Sequence, residues 1–264
     1  MFRALSTGAL GMSAQQKSVD NIANNLANVN TTGYKRATIA FQDMFYENIA
    51  SSKHGAETGG SSSDGPALQI GHGSRPVATI RNFMQGPVEE TGNALDLAVS
   101  GAGFFQVEMP DGNIVYTRDG NFSRNATGIM VNNSGLPLAD LIEIPMEATA
   151  IEISQDGVVT AQLEGDRGQL DLGQIELARF INPGGLTALG DNLFAETEAS
   201  GMAFYGTPGS DGFGVLRQGY LEQSNVDIVT EMVKLIEAQR AYETNSKVVQ
   251  TAEDMMSLSN NIKR

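Results

Sequence analysis

The chain of 264 residues contains no cysteine and no tryptophan, only 2 histidines, and 6% aromatic residues. Without cysteine, disulfides, thiolate catalysis and cysteine-ligated metals are excluded. His54 and His72 lie in or beside a Gly/Ser-rich stretch, where a histidine reads as solvated. With no third histidine, a structural zinc site has no ligand set, and no cofactor is expected. Basic charge is also scarce: 17 Lys and Arg stand against 31 Asp and Glu, a net charge of −14. A nucleic-acid binder needs a basic stripe to displace counterions. The densest basic pair, Lys35-Arg36, stands alone, so no nucleic acid is expected as partner, and an anionic membrane surface is disfavoured. No segment approaches the roughly 20 apolar residues that span a bilayer, so no direct membrane insertion is expected. Residues 1–8 carry a single Arg and lead into Gln15-Gln16-Lys17 without a long apolar run. A cleaved secretory signal is therefore not expected.

Reactive constellations are missing as well. There is no Gly-x-Ser-x-Gly elbow, and a catalytic triad would have to borrow a loop histidine. Gly71-His72-Gly73-Ser74 and Gly101-Ala102-Gly103-Phe104 lack the third glycine and the Lys-Ser/Thr of a phosphate cradle, so they read as tight turns. Asp119-Gly120-Asn121 and Asp211-Gly212 lack the alternating oxygen ligands of a calcium loop and also read as turns. Paired carboxylates such as Glu89-Glu90 resemble a solvated cluster, although glycoside cleavage needs only two suitably placed acids. A secreted cell-wall hydrolase therefore stands as the enzymatic alternative, and a soluble adhesin or binding module as a third reading.

What is present is a pair of heptad-bearing ends around a β-patterned middle. Over residues 4–30, Leu5, Met12, Val19 and Leu26 recur at heptad spacing, joined by Ile22 and Val29. That is the seam of a helix packed on another helix. Gly8 and Gly11 each weaken the first turns by about 1 kcal/mol relative to Ala, and Gly33 is placed to stop the helix in a left-handed conformation. Residues 224–262 read as one long helix, with Ile228, Leu235, Tyr242, Val249 and Met256 at heptad spacing and Met232 beside them. Ser224-Asn225-Val226-Asp227 resembles a capping box with Asp in place of Glu. Between the ends, Val77–Ile80, Phe104–Val107, Ile114–Thr117, Ile151–Ile153 and Val158–Thr160 read as short strands. Asp111-Gly112, Asp119-Gly120 and Asp156-Gly157 supply turns. A small sandwich or open barrel is the expected arrangement. The fold class is therefore α+β: a β-rich central domain bracketed by long N- and C-terminal helices that pack as a coiled coil. The expected divisions are residues 1–33, an N-terminal helix; 34–74, an extended segment with the Gly/Ser stretch at 51–66; 75–219, the β-rich domain; and 220–264, the C-terminal helix. The small residues Ala23 and Ala27 beside Asn24, Asn25 and Asn28 allow close helix approach, with amides bonding across an interface in fixed register. Local capping or solvent contact is the other reading of those asparagines.

The run Ala23-Asn24-Asn25-Leu26-Ala27-Asn28, continued by Thr31-Thr32-Gly33-Tyr34-Lys35 and preceded by Ala14-Gln15-Gln16 and Asp20-Asn21-Ile22, closely resembles the N-terminal signature of bacterial flagellar rod and hook proteins. Gly219-Tyr220-Leu221-Glu222-Gln223-Ser224-Asn225-Val226 and Gln239-Arg240-Ala241-Tyr242-Glu243-Thr244-Asn245-Ser246-Lys247 resemble that family's C-terminal signature. Gly103-Phe104-Phe105-Gln106-Val107 and Tyr116-Thr117-Arg118-Asp119-Gly120 resemble its middle domain. The likeness spans essentially the whole chain and is nearest to the distal-rod branch, with proximal rod and hook subunits as the alternatives. The resemblance implies a structural, non-enzymatic subunit of the flagellar basal body that polymerises helically into a drive shaft. Its implied partners are itself, neighbouring rod subunits, hook or hook-junction proteins, the surrounding cell-wall and outer-membrane rings, and the flagellar export apparatus. The implied location is the rod crossing the periplasm, reached without signal cleavage. The residues expected to carry assembly are Leu5, Met12, Val19, Ile22, Asn24, Asn25, Leu26, Asn28 and Val29 at one end, and Ile228, Met232, Leu235, Tyr242, Val249 and Met256 at the other.

Overall fold

A computed structural model of the chain describes residues 2–50, 68–163 and 169–262. The Gly/Ser stretch expected at 51–66 lies outside the described residues. The chain divides into two compact units. One comprises Met1–Asn24, Ala37–Ile80 and Val229–Arg264, the other Asn25–Arg36 and Arg81–Ile228.

The first unit holds most of two long helices, α1 (Phe2–Ala27) and α2 (Ile228–Ile262). With 35 residues, α2 is about 52 Å long. Helix α1 ends three residues before the expected limit. Asn28, Thr31 and Gly33 explain the stop: the Thr31 hydroxyl donates to Asn28 Oδ1 at 3.1 Å, and Gly33 takes the left-handed φ of 67°. Helix α2 starts four residues after the capping serine suggested by the sequence, where Ser224 closes a local turn and Asn225 is committed elsewhere. Ser224 Oγ accepts the Val226 N–H, and the Asn225 amide bridges other segments, as described below.

Between the helices, the described residues 37–50 and 68–81 are paired as strands. Strand Ala37–Asp43 pairs with Ser74–Arg81, and Tyr46–Ala50 pairs antiparallel with Leu68–Gly71. The Met44 N–H donates to the Gly73 carbonyl at 2.8 Å, joining the two ladders. The aromatic positions Phe41 and Tyr46 lie within these strands.

The second unit is β-rich. Among the described residues, pairing is spread over several short ladders instead of a single sandwich or barrel. The widest is four-stranded, in the order Thr187–Gly190, Leu193–Ala195, Ile114–Thr117, Phe105–Glu108. A three-stranded sheet joins Ala148–Ile153, Val158–Leu163 and Gln169–Gln174. Leu97, Phe105, Phe122, Met130, Leu138, Ile175 and Leu177 are buried in one hydrophobic core. A second cluster of Phe104, Tyr116, Phe180 and Phe194 is held by edge-on ring contacts such as Tyr116–Phe180 at 4.8 Å. Two of the Asp-Gly turns are hairpin turns, with Gly112 at φ 76° and Gly157 at φ 86°. Asp119-Gly120 is different. A Cβ on Gly120 would lie 1.6 Å from the Leu97 carbonyl oxygen. The glycine is needed there for close backbone approach, and its own carbonyl accepts the Leu97 N–H at 2.9 Å.

Candidate assembly surface

The helix pair of the first unit meets through small residues. A Cβ added at Gly8 would come within 2.8 Å of Val249 Cγ2, and one at Gly11 within 2.9 Å of Asn245 Nδ2. Ala14 on α1 and Ala238 and Ala252 on α2 are buried. Interaxial distance is set by the side chains at the crossing, so Gly and Ala in these positions let the backbones approach. Sequence reasoning treated Gly8 and Gly11 only as helix-weakening. The signal for their role was their spacing from Ala14 along one helical face, which the larger heptad residues obscured.

The heptad residues divide. On α1, Ile22 is buried, while Leu5, Met12, Val19 and Leu26 are half-buried. Val29 is half-buried beyond the helix end. On α2, Leu235, Val249 and Met256 are half-buried, and Ile228, Met232 and Tyr242 are exposed at 47%, 51% and 44%. Val229, Val233, Ile236, Val248, Met255 and Leu258 of α2 are exposed too. Isolated exposed apolar residues are ordinary, whereas an array of them on one element is a candidate interaction surface. Of the asparagines, Asn24 is exposed, Asn25 is buried and its Oδ1 accepts the Tyr34 hydroxyl proton at 3.1 Å, and Asn28 bonds Thr31.

In the second unit, the segment after α1 and the segment before α2 are clasped together. Lys35 and Glu222 form a fully buried ion pair at 2.6 Å. Arg118 approaches the other carboxylate oxygen of Glu222 at 3.4 Å. Lys35 Nζ also donates to the Met84 carbonyl at 2.9 Å, and the Gly86 N–H donates to Glu222 Oε1 at 2.9 Å. The Gly33 N–H donates to the Glu222 backbone carbonyl at 2.8 Å. Alongside, Asn225 Oδ1 accepts the Arg36 N–H at 2.8 Å, and its amide donates to the carbonyls of Asn82 and Met84. The Lys35, Glu222 and Asn225 side chains of the two signature segments are thus engaged within one chain. The sequence placed them in motifs but gave no sign that they meet, because 187 positions separate Lys35 from Glu222.

Burial lowers the affinity of Lys35 for its proton, Glu222 works against that shift, and Arg118 adds to it. Burial likewise depresses Arg118. The triad carries two cations and one anion in a site remote from water, where charges are costly unless paired. Nearby, burial raises the Asp119 carboxyl, and the Thr32 hydroxyl, donating at 2.9 Å, opposes the rise. None of this arrangement presents a reacting group to a substrate. Among the described residues, no group of three or more His, Asp and Glu is placed to hold a metal. No described helix is long and apolar enough to cross a membrane.

Three family models match successive parts of the chain: "Flagella basal body rod protein" at residues 5–35, "Flagellar hook protein FlgE/F/G D1 domain" at 98–161, and "Flagellar basal body rod FlgEFG protein C-terminal" at 217–262. The first and last fall on the two clasped ends. The chain is 46% identical to the flagellar basal-body rod protein FlgG of Borreliella burgdorferi, over 100% of both chains. It is 46% identical to the FlgG of Caulobacter vibrioides over 99% of both chains. Against the flagellar basal-body rod protein FlgF of that same bacterium, identity falls to 34%, over 97% of this chain and 95% of the relative.

Proposed function

The chain belongs to the family of the flagellar basal-body rod protein FlgG, and from that membership we propose that it polymerises helically, copy upon copy, into the distal drive shaft that carries torque to the hook. It is a structural, non-enzymatic subunit of the basal-body rod. The observation that supports polymerisation is the row of large apolar side chains exposed on α2, among them Val229 at 70%, Met232 at 51%, Ile236 at 50% and Leu258 at 62%. Full burial of each is worth roughly 1.5–3 kcal/mol, a large combined drive toward contact with further helices. A contact between different surfaces of identical copies does not close on itself and generates a filament.

In this reading, residues 1–33 and 220–264 form the inner tube, with the heptad residues at both ends and Asn24 turned to sister copies. Residues 75–219 form the outer wall, and 34–74 brace neighbouring subunits so that the shaft does not bend. The partners are other copies, adjoining rod and hook or hook-junction subunits, the rings around the shaft, and the export apparatus that delivers the chain uncleaved. The acidic net charge of −14 keeps the unassembled subunit soluble. Electron microscopy of the purified full chain at rising concentration tests the proposal. Straight tubes are expected, with Ile236→Asp preventing them and deletion of residues 51–66 giving tubes that bend. Absence of tubes at every concentration, or unimpaired tubes from Ile236→Asp, contradicts polymerisation through α2. Equally straight tubes from the deletion contradict the bracing role.

A further inference from the structure

Phe45 is 90% exposed, more than any other large apolar residue described. It sits between the strands Ala37–Asp43 and Tyr46–Ala50, next to Met44, whose N–H is tied to the Gly73 carbonyl. The ring is therefore displayed on backbone that is already ordered, which lowers the entropic cost of inserting it into a partner. The carboxylate of Asp43 lies just before it in the sequence and is also exposed.

The β-rich unit carries a receptor of matching size and charge. Phe83, Phe104, Phe180, Ala102, Arg118 and Arg179 line a cleft of about 250 Å³. Small-molecule pockets run from roughly 300 to 1,000 Å³. This one falls below that range and suits a single inserted side chain. Its aromatic walls are set by edge-on contacts, Phe83–Phe104 at 5.4 Å and Phe104–Phe180 at 5.7 Å. The guanidinium of Arg118 stands 5.1 Å from the centre of the Phe104 ring. Its Nε is buried and, among the described residues, has no hydrogen-bond partner. Aromatic walls with guanidinium groups favour another aromatic ring accompanied by an acid. Aromatic anchors that fill such pockets carry a disproportionate share of binding energy.

We propose that Phe45 of one copy seats in the Phe83/Phe104/Phe180 cleft of a second copy, with Asp43 beside Arg179. The two surfaces are different, so each copy offers one and accepts another, and the contact propagates. This inference rests on the reading that the chain polymerises, and adds to it a contact separate from the helix faces.

The absence of cysteine allows a direct test on the full chain. Gln42→Cys in one copy and Ala102→Cys in a size-tagged copy are mixed, assembled and treated with a short bismaleimide. Gln42 and Ala102 are both exposed, and neither substitution removes the anchor ring. A mixed dimer is expected from the polymer. It should be lost when Phe45→Ala or Arg179→Glu is added, and regained when Arg179→Glu is combined with Asp43→Lys in the donor copy. Polymer that yields no mixed dimer overturns this seat and leaves polymerisation standing. So does a mixed dimer unaffected by Phe45→Ala, since another occupant then fills the cleft. Failure to form any polymer overturns both readings.

Discussion

At the scale of single residues, the buried triad is the most exposed to test. Lys35, Arg118 and Glu222 together hold one more positive charge than negative. Removing Lys35 leaves the Arg118–Glu222 pair, so Lys35→Met costs mainly its hydrogen bonds to Glu222 and Met84, about 1–3 kcal/mol. Glu222→Gln leaves two buried cations without their counter-ion, a loss of about 3–5 kcal/mol. Denaturant unfolding of the two variants should rank Glu222→Gln as the more damaging. The opposite order would show that Glu222 is not the charge that holds the clasp. The composition marked Lys35 and Glu222 as unremarkable charged residues, since such groups are seldom fully buried unless paired. Their pairing depends on tertiary placement of the Gly33–Lys35 and Tyr220–Asn225 segments, which no local pattern encodes. Gly33 is the contrary case: its left-handed conformation was legible, because few residues other than glycine adopt a positive φ at low cost.

At the scale of elements, both long helices were legible from periodicity, and each of the five runs read as strands falls on a strand, but these are five of the nineteen strands described. Ile114–Thr117 is a strand with the expected bounds. The helix starts were less so, as with Ser224, whose hydroxyl accepts the Val226 N–H in a local turn while Asn225 bonds distant segments, and α2 begins only at Ile228. That the two terminal helices contact each other was legible from their heptads; the residues at which they meet were not. Heptad reasoning named Val249, which does face α1, but it looks for large apolar knobs on both helices, whereas Gly8 and Gly11 stand opposite Val249 and Asn245. Two opposed effects act on Gly8→Leu. Helix propensity gains up to about 1 kcal/mol, while overpacking against Val249 costs about 1–3 kcal/mol. The variant should therefore have a more helical N-terminal segment as an isolated peptide, yet a weakened α1–α2 contact in the full chain. Circular dichroism of the peptide and thermal unfolding of the chain read the two effects separately. A variant with an intact, equally stable helix pair would show that close approach at Gly8 is dispensable. The strand pairs among described residues 37–50 and 68–81 were not legible beyond the run Val77–Ile80, because the pairing joins positions far apart in the sequence.

At the scale of the molecule, the chain follows a division of labour that its composition already implied. A low aromatic content and 30 glycines suit short ladders and close turns. The buried charges and amides of the clasp fix the chain path at the two points where the long helices leave the β-rich unit. The large apolar residues that would complete a helical core stand exposed on α2 instead. The central claim is that those residues are buried by sister copies. Hydrogen exchange of residues 228–262, measured on the dilute full chain and on its assembled form, tests it most directly. Weak protection in the dilute chain and strong protection along the whole of α2 on assembly is the expected result. Equal protection of α2 in both states would contradict the claim.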